Sequence, residues 1–207
     1  MKSDCVPERD KQDIVVIGAS TGGVEAIPKL TKHLPPAFPA AVLIAVPAAP
    51  HIPHLLTAII NKVSALQAHQ AIQGEPIESG RIYVAPPDHH LKILQGLIQL
   101  DHGPRENGHR PAIDALFRSA AAEFKERVVG VVLSGSLDDG TAGLQAIKNH
   151  GGVAIVQDPA EALVPQMPEN ARRYVEVDYE LPVSEIGSLL VQLMGRKEKE
   201  LCLQEVS

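Results

Sequence analysis

Cysteine is scarce in this chain, and the two present, Cys5 and Cys202, fall in polar terminal segments. That placement argues against a disulfide framework and against a cysteine-built metal site. Excess basic charge is also missing: 19 Lys and Arg stand against 25 Asp and Glu, a net charge of -6. A phosphate backbone needs a basic face to bind to, so nucleic acid is not an expected partner. Long apolar runs are absent too. The longest, around residues 40–50, is too short to cross a bilayer and is interrupted by prolines. The polar stretch Met1 to Asp13 lacks the apolar segment of a secretory leader. The expectation is therefore a cytoplasmic domain with no membrane insertion. What is present, 207 residues with 44% hydrophobic and 21% charged content, suits one domain with a full layered core.

Apolar runs alternate with segments of helical period, which is the pattern of an α/β protein with a mostly parallel sheet. The runs predict strands at Asp13–Ile17, Ala41–Val46, Arg81–Ala85, Val128–Leu133 and Val153–Gln157. Helical spacing predicts helices at Gly23–His33, Pro53–Ala65, Pro111–Phe124, Gly140–His150 and Pro182–Met194. Continuous apolar strands such as Val128–Leu133 need cover on both faces, which implies a doubly wound sheet. Leu91–Leu100 reads as a hairpin turning at Gln95-Gly96, expected to add an antiparallel edge to that sheet. The expected organisation is a polar tail over 1–12, a folded domain over 13–194 and a charged tail over 195–207.

Two stretches carry the chemistry. The first joins a strand to a helix through Gly18-x-Ser20-x-Gly22. Such a turn lifts a serine hydroxyl above the sheet and leaves free N–H groups at the helix start. It has three readings: a nucleophile elbow, a cofactor loop, or a structural turn in which Ser20 caps the helix. The cofactor reading is weak because Ser20 occupies the glycine position that approaches a pyrophosphate. It is weaker still because Ala41–Val46 is followed by Pro47-Ala48-Ala49, with no carboxylate for a ribose. The second stretch, Leu133 to Gly143, also joins a strand to a helix and contains Asp138 and Asp139. An aspartate there is favoured in its charged form, as a triad carboxylate or as a simple helix cap. Asp114, behind Pro111, reads as a solvent-facing or capping carboxylate. Loops bearing His51 and His54, Asp88 to His90, Arg105 to Pro111, and Asp158-Pro159 could ring the same edge. The adjacent His89 and His90 lack metal-ligand spacing.

Taken together these segments resemble one family. Ile17 to Gly23, Arg81 to Pro87, His109 to Arg118, Leu133 to Gly140 and Gly151 to Asp158 occur in one order at compatible spacings. They are similar to the catalytic domain of CheB-type chemotaxis protein-glutamate methylesterases, over roughly Asp13 to Met194. The resemblance implies a doubly wound α/β domain that hydrolyses glutamyl methyl esters on methyl-accepting chemotaxis receptors, with glutamine deamidation in some members. It implies a Ser-His-Asp triad with no metal or organic cofactor. By motif, Ser20 matches the nucleophile and Asp139 the triad aspartate. The Thr21 N–H would face the oxyanion, and Ser136 stands where relatives often carry methionine.

The resemblance also exposes a departure. Pro47 stands where the family places its histidine, and proline offers no titratable group. His51, four residues further on, is the nearest substitute, and His54 the next. Two functional expectations follow: an esterase using Ser20, His51 and Asp139, or a binding module that docks on receptors without turnover. A nucleotide-binding domain is a third. Many relatives carry an N-terminal receiver domain; the dozen residues before the first strand leave no room for one, so phosphorylation control would come from a receiver protein in trans.

Overall fold

The structure, a computed structural model, describes residues 13–47 and 51–204, the last of these, 196–204, as backbone only. The expected 1–12 tail lies outside the described residues. All five strands and five helices anticipated from the sequence form, within a residue or two at most ends. In chain order the elements begin with β1 (Asp13–Gly18), α1 (Gly23–Thr31), β2 (Ala40–Ala45) and α2 (Ile52–Val63). β3 (Gln67–Gln70), β4 (Arg81–Val84), β5 (His90–Leu94), β6 (Leu97–Asp101) and α3 (Ile113–Phe124) follow. The chain closes with β7 (Val128–Val132), α4 (Thr141–Asn149), β8 (Val153–Gln157), α5 (Gln166–Tyr174), β9 (Tyr179–Leu181) and α6 (Val183–Gln204).

Seven strands form one sheet in the order β3-β4-β2-β1-β7-β8-β9, every neighbouring pair parallel. The sequence reason is plain in β1, where Ile14, Val15, Val16 and Ile17 are all fully buried. Pleating sends alternate side chains to opposite faces. Ile14 and Val16 join a core with α3, α4 and α5, while Val15 and Ile17 join one with α1, α2 and α6. Strand order reverses between β1 and β7, and the crevice at the carboxyl ends of such a pair is where α/β sheets place ligands.

Four features differ from the sequence expectation. The β5–β6 hairpin forms with Gln95-Gly96 at its turn, but as a separate two-stranded sheet. It does not extend the main sheet; its Leu91, Ile93 and Ile98 pack into the α3-side core instead. The true edges are β3 and β9, whose short polar sequences, Gln-Ala-His-Gln and Tyr-Glu-Leu, carry no apolar run to flag them. Helix α5 was also not anticipated, because only Met167, Pro168 and Ala171 of it are buried. Helix α6 continues past Met194 to Gln204, so most of the segment assigned to a charged tail is helical.

Candidate active site

The turn after β1 is shaped by what its glycines make possible. A side chain at Gly18 would overlap Ile113 of α3. Gly22 has φ +91, a conformation natural to glycine, and a β-carbon there would lie 2.6 Å from Ser134 Oγ. Between them the Ser20 N–H is anchored on the Ser134 carbonyl at 2.9 Å. Ser20 is half-buried, and among the described residues its hydroxyl has no hydrogen-bond partner. Its β-carbon faces Gly135, where any side chain would strike both Ser20 and the sulfur of Met167. Thr21 is exposed, and its N–H has no acceptor among the described residues. The start of α1 therefore offers an unpaired donor beside a serine hydroxyl, the combination that an oxyanion needs.

Ser134, which sequence reasoning passed over, holds the surrounding loops together. It is 1% exposed. Its Oγ donates to the Thr21 carbonyl at 2.7 Å and accepts the Val164 N–H at 2.9 Å. Its own N–H donates to Gln157 Oε1 at 2.9 Å. The elbow, the β7–α4 loop and the β8–α5 loop thus meet on one residue. Ser136 lies half-buried on the β7–α4 loop. A cleft of about 380 Å³ opens beside the elbow, with Gly22, Ser134 and Leu163 in its lining.

Asp139 is buried at the far end of the same loop. Its Oδ2 accepts the Ile113 N–H at 2.9 Å, and its Oδ1 accepts the Asp114 N–H at 3.1 Å. It therefore caps α3 from outside that helix, satisfying donors that have no partner of their own. Asp114 returns the favour: its Oδ1 accepts from the Gly140 and Gly143 N–H groups at 3.0 and 2.6 Å, capping α4. The Asn107 side-chain amide bridges the two, donating to Asp114 Oδ2 at 2.8 Å and Asp139 Oδ1 at 2.9 Å. Burial pushes the Asp114 carboxyl above its usual range, opposed by the bonds from Gly143 and Asn107 and reinforced by the Asp139 charge. Asp114 is a capping carboxylate, as the sequence suggested, but a buried one serving another helix. Nothing local in the sequence signals the Asn107 bridge, since its partners lie on two other elements.

The histidines are distributed differently from a working triad. His51 is exposed immediately before α2, and His54 is exposed in its first turn. His90 is buried, with Nδ1 accepting the Ala112 N–H at 3.2 Å and Nε2 donating to the Pro104 carbonyl at 2.9 Å. That pairing fixes a neutral tautomer and occupies both ring nitrogens. His89 and His102 bond to the Pro87 and Asp88 carbonyls. Among the described residues no imidazole is hydrogen-bonded to Ser20 or to Asp139. Pro47 follows β2, so the adjacent strands β2, β1 and β7 present Pro47, Ser20 and Asp139 along one edge.

Among the described residues no cluster of His, Cys, Asp or Glu could hold a metal ion, and no helix is long and apolar enough to cross a membrane. Comparison with known proteins gives a consistent picture. The family model described as CheB methylesterase matches residues 15–190. A Leptospira interrogans protein, provisionally named protein-glutamate methylesterase/protein-glutamine glutaminase, is 35% identical, over 87% of this chain and 94% of its own. The protein-glutamate methylesterase/protein-glutamine glutaminase 2 of Methanosarcina mazei is 34% identical over 88% of this chain, which spans 52% of that longer protein. The crystal structure of the Thermotoga maritima CheB methylesterase catalytic domain superposes with a TM-score of 0.85 at 33% identity, covering 88% of this chain and 98% of that one.

Proposed function

Since the chain belongs to the CheB methylesterase family, we propose that it acts on glutamyl methyl esters of chemotaxis receptors, and on the corresponding glutamine amides, with Ser20 as nucleophile. The observation that carries this reading is the elbow: a serine hydroxyl and, beside it at a helix start, a Thr21 N–H, both without a hydrogen-bond partner among the described residues. Ser20 Oγ bonds to the ester carbonyl carbon, and the Thr21 N–H stabilises the oxyanion. Collapse expels methanol, or ammonia from an amide, and water then releases the glutamate carboxyl from the acyl-serine. Among the described residues Asp139 Oδ2 accepts the Ile113 N–H alone, which leaves it a lone pair to orient an imidazolium. In this reading His51, the first histidine after Pro47, swings from its exposed place before α2 to take the serine proton and returns it to the leaving group. No metal or organic cofactor takes part.

A specific observation favours a second reading, in which the domain binds receptors without turnover. Pro47 follows β2 at the position that the family resemblance gives to the base, and removing the histidine from a serine protease costs about 10^6 in turnover. One experiment separates the two. Methanol release is measured from methylated receptor for the natural chain, His51→Ala and Pro47→His, with fluorophosphonate labelling of Ser20 in parallel. Hydrolysis by the natural chain that His51→Ala abolishes supports the esterase. Absence of turnover and of labelling, with activity appearing only in Pro47→His, supports the binding module.

A further inference from the structure

Two loops beside the elbow each present an exposed leucine. Leu137, between β7 and α4, is 59% exposed, and Leu163, between β8 and α5, is 70% exposed. Neither adds to the core. Leu137 also has φ +64, where its β-carbon crowds the backbone and glycine would be at ease. Helix α5 holds this strained residue from both sides: the Leu137 N–H donates to Gln166 Oε1 at 3.1 Å, and its carbonyl accepts from Asn170 Nδ2 at 2.7 Å. Leu163 is fixed through its neighbour, since the Val164 carbonyl accepts the Gly135 N–H at 2.9 Å and the Val164 N–H reaches Ser134. Its β-carbon stands 3.1 Å from where a Gly22 side chain would begin.

Strain that is held in place at the rim of a reactive group points to function, because folding alone gains nothing from it. Both leucines are tied to the frame that positions Ser20: Gly135 touches the serine, and Leu163 overhangs Gly22. The cleft that Leu163 helps to line also carries Glu25, Lys29 and Glu161. A segment lying there meets both apolar and charged groups.

We propose that Leu137 and Leu163 are specificity-determining residues that grip apolar side chains flanking the esterified glutamate of an amphipathic protein segment. This rests on the reading of Ser20 as the group that meets that ester. The leucines supply contact area on two loops beside the reactive position, so a substrate is selected by its neighbours as well as by its ester.

The test uses fluorescence anisotropy with two labelled peptides bearing a glutamyl methyl ester, one flanked by leucines and one by serines. Binding is compared for the natural chain, Leu137→Gly, Leu163→Ser and the double variant. Leu137→Gly is the decisive arm, because it removes the side chain while relaxing the backbone, so its urea midpoint stays equal or rises. Each single variant is expected to weaken the leucine-flanked peptide roughly five- to tenfold, as loss of one apolar contact implies, and to leave the serine-flanked peptide unchanged. Unchanged affinity in the folded variants overturns the proposal while leaving the ester reading intact. Equal leucine-dependent binding of peptides with a plain glutamate supports the grip and counts against the ester reading. Failure of the natural chain to bind either peptide overturns both. Self-association that the double variant disperses, with peptide affinity unaltered, also overturns the proposal.

Discussion

Replacing Asp139 with alanine is expected to destabilise the fold whether or not the residue has any part in chemistry. The carboxylate is 2% exposed and accepts two backbone N–H groups at the start of α3 plus the Asn107 amide. Losing a cap costs about 0.5–2 kcal/mol. Leaving a buried donor unsatisfied costs about 1–3 kcal/mol, and bonds to charged groups lie at the upper end. Removing the negative charge beside Asp114 returns part of that, since the two carboxylates repel. The net expectation is a loss of roughly 2–4 kcal/mol, a large share of the roughly 5–15 kcal/mol that holds a domain folded. Urea unfolding followed by far-UV circular dichroism measures it, because the chain has no tryptophan to report by fluorescence. Asp139→Asn, which keeps one acceptor oxygen, should fall between. A change below about 0.5 kcal/mol in Asp139→Ala, the range of neutral surface substitutions, would refute the mutual-capping account. The outcome bears on function as well: an inactive Asp139→Ala says nothing about a triad until its folded fraction is known.

Gly135→Ala should displace Ser20 and Met167, because the new methyl has room for neither, and should abolish fluorophosphonate labelling. Adding Met167→Ala opens space on one side only, so stability recovers more than labelling does. Ser134→Ala leaves the Val164 N–H and the Thr21 carbonyl without their partner, a cost of about 1–3 kcal/mol readable as a lower urea midpoint. For Asp114 the sign follows from a folded-state pKa raised above the usual 3.8. The associated stability is fully present below that value and is lost as pH rises through the raised one. Asp114→Asn should therefore remove a decline in stability above about pH 4 that the natural chain shows in pH-dependent urea titrations. Parallel curves for the two proteins would contradict the buried-carboxyl assignment.

Much of this fold was legible because its central strands are apolar on both faces, as Ile14 to Ile17 and Val128 to Val132 illustrate. Such runs have few alternatives to a covered parallel sheet. The edges were not legible, because β3 and β9 are short and polar and exist only through pairing with a neighbour already in place. The hairpin was recognised by its turn chemistry, but its docking on α3 depends on contacts that no local pattern encodes. At the site, the Gly-x-Ser-x-Gly turn disclosed itself through glycine spacing. Ser134 and Asn107 did not, because each acts by joining segments far apart in sequence, and a lone Ser or Asn in a loop has no periodic context to mark it.

The position of Ser134 constrains how this edge can change over evolutionary time or in the hands of an engineer. One hydroxyl is the common fastening of three loops, so none of them can be lengthened, swapped or remodelled alone without loosening the other two. Grafting a foreign β8–α5 loop to alter selectivity would shift the serine turn at the same time. The practical unit of exchange is the three loops with their shared serine, transplanted as one piece.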